Sequence, residues 1–160
     1  MIAVVTGGAA SGKSAFAERL ACALPGPHAY VATMRHGDAE TEARIARHLR
    51  MREGKGFFTV ELADGDRGGL SACKTALLED LGNLGANGLE DSLADVLACE
   101  NAVIVANEVG GDGIAYDSCT MEYIATIGAL ACSLAARADV VVEVVSGVPN
   151  VVKGELPCAC

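Results

Sequence analysis

Lys13 and Ser14 close the run Gly7-Gly8-Ala9-Ala10-Ser11-Gly12-Lys13-Ser14, and this G-x-x-x-x-G-K-S spacing is suited to gripping a polyphosphate. Glycines let backbone N–H groups turn inward around phosphate oxygens, and a helix N-terminus behind them adds a favourable partial charge. In such a loop Lys13 reaches the β- and γ-phosphates of a nucleoside triphosphate, and the Ser14 hydroxyl ligates Mg²⁺. The competing reading is a glycine-rich turn that matches by accident. A strand directly before the run, Ile2–Thr6, and a helical pattern directly after it favour phosphate binding. The chemistry implied is phosphoryl or nucleotidyl transfer.

Such a site needs an acidic residue at a neighbouring strand end to hold the metal, directly or through water. Thr75-Ala76-Leu77-Leu78-Glu79-Asp80 fits, as a short buried strand ending in two carboxylates. Alternation of faces means that only one of the pair can easily point at the nucleotide. A solvated pair at a strand end is the alternative. Asn107-Glu108 ends another apolar run, where it could position substrate or water, or simply cap a helix or turn.

A third group lies on the segment from Glu40 to Arg52. On a helix Glu40, Arg44, His48 and Arg52 fall at successive i,i+4 positions and share one face. Repulsion between like charges keeps a histidine flanked by two arginines more neutral. A neutral imidazole there is a plausible nucleophile for an α-phosphate whose charge the guanidinium groups offset. Taken alone, these residues fit a solvated, salt-bridged helix face better. His28 and His36 have no comparable setting.

The elements that must position these groups read as an α/β sheet covered on both faces. Candidate strands are Ile2–Thr6, His28–Thr33, Phe57–Leu62, Thr75–Glu79, Ala102–Asn107 and Asp139–Ser146. Candidate helices are Gly12–Leu24, Asp38–Arg52, Leu81–Ala98 and Thr120–Ala138. Phe16, Leu20 and Leu24 repeat every four residues, giving the first helix one face for the sheet. Gly82, Gly85 and Gly88 weaken the third helix, so part of it reads as loop. Asp64–Gly69 reads as a turn or loop.

The 160 residues carry no internal repeat or linker, which predicts a single nucleotide-binding domain over residues 1–160. The net charge of −9 argues against a nucleic-acid partner. The longest apolar candidate, Val140–Val152, is interrupted and falls short of the ~20 apolar residues of a membrane span. No basic region precedes the first strand, so a cytoplasmic protein without a signal peptide is expected. The seven cysteines are odd in number and lack a CxxC pair, which predicts reduced thiols. Cys158-Ala159-Cys160 supplies too few ligands for a metal.

Together these pieces resemble the bifunctional adenosylcobinamide kinase/adenosylcobinamide-phosphate guanylyltransferases of cobalamin biosynthesis. Val5–Ser14 is similar to that family's VTGGxxSGKS, and Tyr30-Val31-Ala32-Thr33 to its YIAT. Arg44-Ile45-Ala46-Arg47-His48, with Arg52 beyond, resembles its RIxxHRxxR, whose histidine carries covalent GMP. Leu77-Leu78-Glu79 followed by Asn87 resembles its LL(D/E)-x₇-N, which places the metal carboxylate at Glu79. Asn107-Glu108-Val109-Gly110 is similar to its NEVG, and Val145–Pro149 with Lys153-Gly154 to its closing SG-x-P…KG. These motifs follow in order along nearly the whole chain, and they turn the reading of His48 from helix face to nucleophile.

The resemblance implies a P-loop NTPase fold with a RecA-like, mostly parallel sheet, assembled as a homotrimer. It implies ATP and GTP as substrates with Mg²⁺, and adenosylcobinamide as acceptor. One reaction phosphorylates the acceptor's aminopropanol hydroxyl. In the other, His48 takes GMP from GTP and passes it to adenosylcobinamide phosphate. The nucleotide is then held by residues 7–14 with Arg44, Arg52, Glu79, Asn107 and Glu108, and the metal by Ser14 and Glu79. A different P-loop small-molecule kinase, or a paralogue that binds nucleotide without full turnover, is the alternative. Leu49 departs from the pattern at a common arginine, Tyr123–Gly128 replaces F-R-D-x-x-G, and Ala131-Cys132 replaces Asn-Gln.

Overall fold

A computed structural model describes residues 1–34, 37, 43, 46, 50, 53–62, 68–86, 91–111 and 113–157. Seven strands form one sheet: β1 (Ile2–Gly7), β2 (His28–Ala32), β3 (Phe57–Glu61), β4 (Thr75–Leu78), β5 (Asn101–Asn107), β6 (Val140–Val145) and β7 (Val148–Lys153). Their order is β3-β2-β4-β5-β1-β6-β7. Every pairing is parallel except that of β6 with β7. Among the described residues, helices with defined bounds are α1 (Lys13–Ala23), α2 (Leu81–Ala86), α3 (Ser92–Leu97) and α4 (Ser118–Arg137), with a 3₁₀ turn at Gly68–Ala72.

Successive side chains on each strand feed opposite faces, so the apolar runs build two core layers. Ala3, Val5, Val103, Val105 and Val142 pack under Phe16, Ala17, Leu20 and Ala21 of α1. Val4, Val31, Leu78, Ile104 and Val141 pack on the other face, under Leu81, Leu84, Leu93, Val96 and Leu134. Helices therefore cover both faces, as the apolar pattern predicts. Leu24, the last of the expected α1 stripe, is only partly buried against the same layer.

Four expectations need correction. The helix expected over Leu81–Ala98 is two helices, and Asp91 between them lies in a turn. The strand expected to reach Glu79 stops at Leu78. β7 was not foreseen. It follows the two-residue turn Ser146-Gly147, whose φ angles of 49° and 82° match a tight hairpin. Its edge position tolerates Pro149, which needs no ladder N–H.

The fourth correction concerns α4. By length and composition alone it is apolar enough to cross a membrane, with a mean hydropathy of 1.4 and 11% of its window buried. Counting only uninterrupted apolar runs passes over it. Here it is a capped layer of the sheet: Asp117 accepts from Thr120 N at 3.0 Å, and Lys153 Nζ donates to Ala135 O and Ala136 O. Ile127 and Leu134 alone are buried along it.

Of the helix expected over Asp38–Arg52, Ala43, Ala46 and Arg50 are helical. Glu40, Arg44, His48 and Arg52 lie outside the described residues, as do His36, Leu49, Asn87, Cys158 and Cys160. The described cysteines are free thiols, with Cys73 Sγ and Cys99 Sγ 3.4 Å apart.

Candidate active site

Parallel strands end on one edge, and β1 sits where chain connections diverge to either side, so a crevice opens outside the carboxyl ends. A cavity of about 450 Å³ lies there, against Ala9, Ala10, Lys13 and Ser14 of the phosphate loop. Its opposite wall comes from the ends of β2 (Thr33, Met34), β4 (Glu79, Asp80) and β5 (Asn107, Glu108). The expected residues Lys13, Ser14, Glu79, Asn107 and Glu108 thus converge.

The loop's shape depends on two glycines. Gly7 has φ 150°, and a Cβ there would meet Val144 O at 2.5 Å and Ser11 Oγ at 2.7 Å. Gly12 has φ 91°, and a Cβ there would stand 3.2 Å from Gly147 Cα. Gly147 N donates to Ser11 O at 2.7 Å, so the β6–β7 turn braces the loop from behind. Gly8 has open space at its Cβ position, towards which no contact within 4 Å exists. Ser11 Oγ is buried with no hydrogen-bond partner among the described residues.

Lys13 is 7% exposed, and its Nζ donates to Gly8 O at 3.0 Å. Burial lowers its pKa, while the nearby Asp80 and Glu79 raise it. A cation held in this way is available to a polyanion, because the carbonyl it touches is a weak partner.

Both Glu79 and Asp80 line the cavity, against the expectation that only one could. The reason is that β4 ends before them, so strand alternation no longer governs. The two differ in engagement. Asp80 Oδ1 accepts from Gly82 N at 2.9 Å and Asn83 N at 3.2 Å, capping α2. Glu79 is more buried in its effects: its pKa is pushed up to about 8, first by burial, then by Asp80 and Glu18, against an opposing pull from Lys13. A largely buried carboxyl whose ionised form is disfavoured by burial and by neighbouring carboxylates is one that a divalent cation would suit. With the Ser14 hydroxyl it forms a donor set of hard oxygens, which fits Mg²⁺ completed by phosphates and water.

A pH dependence follows. With a pKa of about 8, Glu79 is expected to be mainly protonated near neutrality in the nucleotide-free chain, and a cation bound there would have to expel that proton. Mg²⁺·nucleotide affinity should rise up to about tenfold per pH unit towards pH 8 and level off above it. For stability the sign is opposite. The unfolded chain ionises Glu79 at its ordinary value of 4.5 and the fold only near 8, so stability is lost as pH rises through that window. Glu79→Gln should flatten both profiles, raising the nucleotide-free melting temperature at pH 8 while removing most turnover. Calorimetry and thermal melts from pH 6 to 9 check this; a profile unchanged in Glu79→Gln would assign the titration elsewhere.

Tyr30, Val31, Thr33, Met34, Asn83 and Val109 also line the cavity and were not chosen as site residues. Thr33 Oγ1 donates to Asp80 O at 3.5 Å, tying the β2 end to the β4 end. Its position after an apolar strand was the same signal that marked Glu79. Glu18, buried on α1, pairs with Lys55, so the chain returning towards β3 is fastened to the helix behind the phosphate loop.

Comparison with known proteins gives two findings. Residues 3–152 match the family described as cobinamide kinase / cobinamide phosphate guanyltransferase. The bifunctional adenosylcobalamin biosynthesis protein CobP of Pseudomonas aeruginosa is 31% identical over 169 residues, covering 95% of this chain and 97% of that one.

Proposed function

The chain belongs to the cobinamide kinase / cobinamide phosphate guanyltransferase family, an enzyme of cobalamin biosynthesis, and we propose that it performs both reactions on the one phosphate loop with His48 as guanylyl carrier. The observation that carries this reading is the convergence of Lys13, Ser14, Glu79, Asn107 and Glu108 on one cavity. In the kinase reaction residues 7–14 hold the triphosphate of ATP, the adenosylcobinamide hydroxyl attacks the γ-phosphorus, the bond to the β,γ-bridging oxygen breaks to release ADP, and the hydroxyl proton is lost to solvent. Ser14 and Glu79 would hold Mg²⁺, which would supply neutralisation of the phosphate charge. Catalysis here is mostly positioning and electrostatics, which suits a site built of backbone N–H groups and one buried cation.

In the guanylyl reaction an imidazole nitrogen of His48 attacks the α-phosphorus of GTP, and the bond to pyrophosphate breaks. A phosphate oxygen of adenosylcobinamide phosphate then displaces the imidazole, giving adenosylcobinamide-GDP. Two displacements split one difficult transfer into two easier ones. Arg44 and Arg52, four residues to either side in sequence, offset the phosphate charge. The reading extends to a single domain over residues 1–160, a cytoplasmic location and a homotrimeric assembly. Support for assembly comes from exposed Val148 and Val152 on the edge strand β7.

Incubation with α-³²P-GTP tests this reading. A label that survives alkali and is lost in acid, and that chases into product on adding adenosylcobinamide phosphate, is expected. ATP turnover that depends on added adenosylcobinamide checks the other half. Binding of nucleotide without either would identify a chain that has kept the site and lost the chemistry.

A further inference from the structure

The cavity at the strand ends is the size of a single nucleotide, so a corrinoid macrocycle must lie outside it, with only its reactive arm entering. The lining shows from which side. The cavity wall comes from β2, β4 and β5, which lie together on one side of β1, while β6 and β7 lie on the other. On the wall side α4 stands against two parts of the rim. A Cβ on Gly82 would meet Tyr123 Oη at 2.9 Å and Asp80 Oδ1 at 3.1 Å, so the phenol sits over the start of α2 beside a rim carboxylate. A Cβ on Gly110 would meet Ile124 Cγ2 at 2.8 Å, so the turn after the rim residues Glu108 and Val109 is seated on the next residue of α4. Tyr123 is 36% exposed, and the loop joining this rim to α4 exposes Ile114 at 60% and Tyr116 at 37%.

We propose that Tyr123, with the exposed Ile114 and Tyr116 of the adjoining loop, forms the platform on which the corrinoid acceptor docks while its hydroxyl-bearing arm reaches past Asp80 into the cavity. This rests on the cobinamide reading given above and adds to it the place where the acceptor binds. A tyrosine ring gives a large rigid face at low entropic cost, and its hydroxyl suits a ligand whose apolar ring is edged with amides. Burial and Asp80 both raise the Tyr123 pKa, which keeps that hydroxyl a neutral donor. The other apolar candidates lie elsewhere. Val145, Val148 and Val152 are across β1, and Met121, Ala125 and Gly128 fall on the outward side of α4, away from the buried Ile127.

The test is kinase kinetics with adenosylcobinamide varied at saturating ATP, beside nucleotide affinity by calorimetry. Tyr123→Ala should raise KM for adenosylcobinamide by about tenfold or more, with nucleotide affinity within about twofold of wild type. Tyr123→Phe, which keeps the ring, should recover most of that loss. The double variant Ile114→Ser/Tyr116→Ser should move KM in the same direction and carries the test if Tyr123→Ala fails to fold. A wild-type KM in both Tyr123→Ala and the double variant overturns the platform, as does an altered sedimentation coefficient with KM unchanged, which would mark a contact between copies. Failure of the underlying reading looks different: the wild-type chain itself would then not phosphorylate adenosylcobinamide.

Discussion

Lys13→Ala is expected to abolish measurable nucleotide binding while leaving the fold in place. The side chain is 7% exposed, at the first residue of α1, and donates to the Gly8 carbonyl across the phosphate loop. Hydrogen bonds from a cation to phosphate contribute about 1.5–3 kcal/mol each, and one lysine serving two phosphates would put the loss at about 10²-fold or more. The folded chain loses little, because the replaced group makes one bond to a loop carbonyl and its charge is disfavoured by burial. A stability change within about 1 kcal/mol is therefore expected from thermal melts. A second consequence separates this variant from a general loosening of the loop. Lys13 is the group that pulls the Glu79 pKa down, so its removal should move the Glu79 titration further up. Near wild-type affinity by calorimetry would end the phosphate-loop reading.

The phosphate loop was legible because its chemistry constrains successive positions: a glycine at Gly7 where a Cβ would strike Val144 O, and Gly12 at φ 91°. The strand ends were legible too, since an apolar run that stops at a polar pair marks the edge of a buried strand. What could not be read was which strand ends become neighbours. Thr33, Asn83 and Val109 enter the cavity because the order β2-β4-β5-β1 sets their strands side by side, and no local pattern encodes that order. The division of labour between Glu79 and Asp80 was hidden for a similar reason. It depends on β4 ending at Leu78 and on α2 starting at once, so that Asp80 is drawn into capping Gly82 and Asn83. β7 was signalled by Ser146-Gly147 between two valine-rich runs, but Pro149 disguised it as a loop. α4 escaped notice as a surface because hydropathy does not show which apolar residues a helix leaves outside.

His48→Ala should abolish covalent guanylylation and the transfer of GMP to adenosylcobinamide phosphate, while the kinase reaction persists. The separation follows from what each reaction requires. Guanylyl transfer through an enzyme-bound intermediate needs a nucleophile that forms a bond to phosphorus, and no neighbouring group can replace it. Phosphorylation of a hydroxyl needs the loop, the metal and a positioned acceptor, none of which calls for a covalent carrier. Arg44→Ala should weaken labelling without removing it, because a guanidinium offsets charge and makes no covalent bond. If Arg44 and Arg52 share that role, with Leu49 between them in place of the arginine of the resembled pattern, the pair Arg44→Ala/Arg52→Ala should lose more than the sum of its singles. A histidine that merely sits on a solvated helix face predicts another outcome: both activities near wild type and a stability change within about 0.5 kcal/mol. Mass spectrometry of the labelled chain decides between them. Label on a peptide containing His48, absent from His48→Ala, supports the carrier; label retained in that variant, or found on His28 or His36, would sink it.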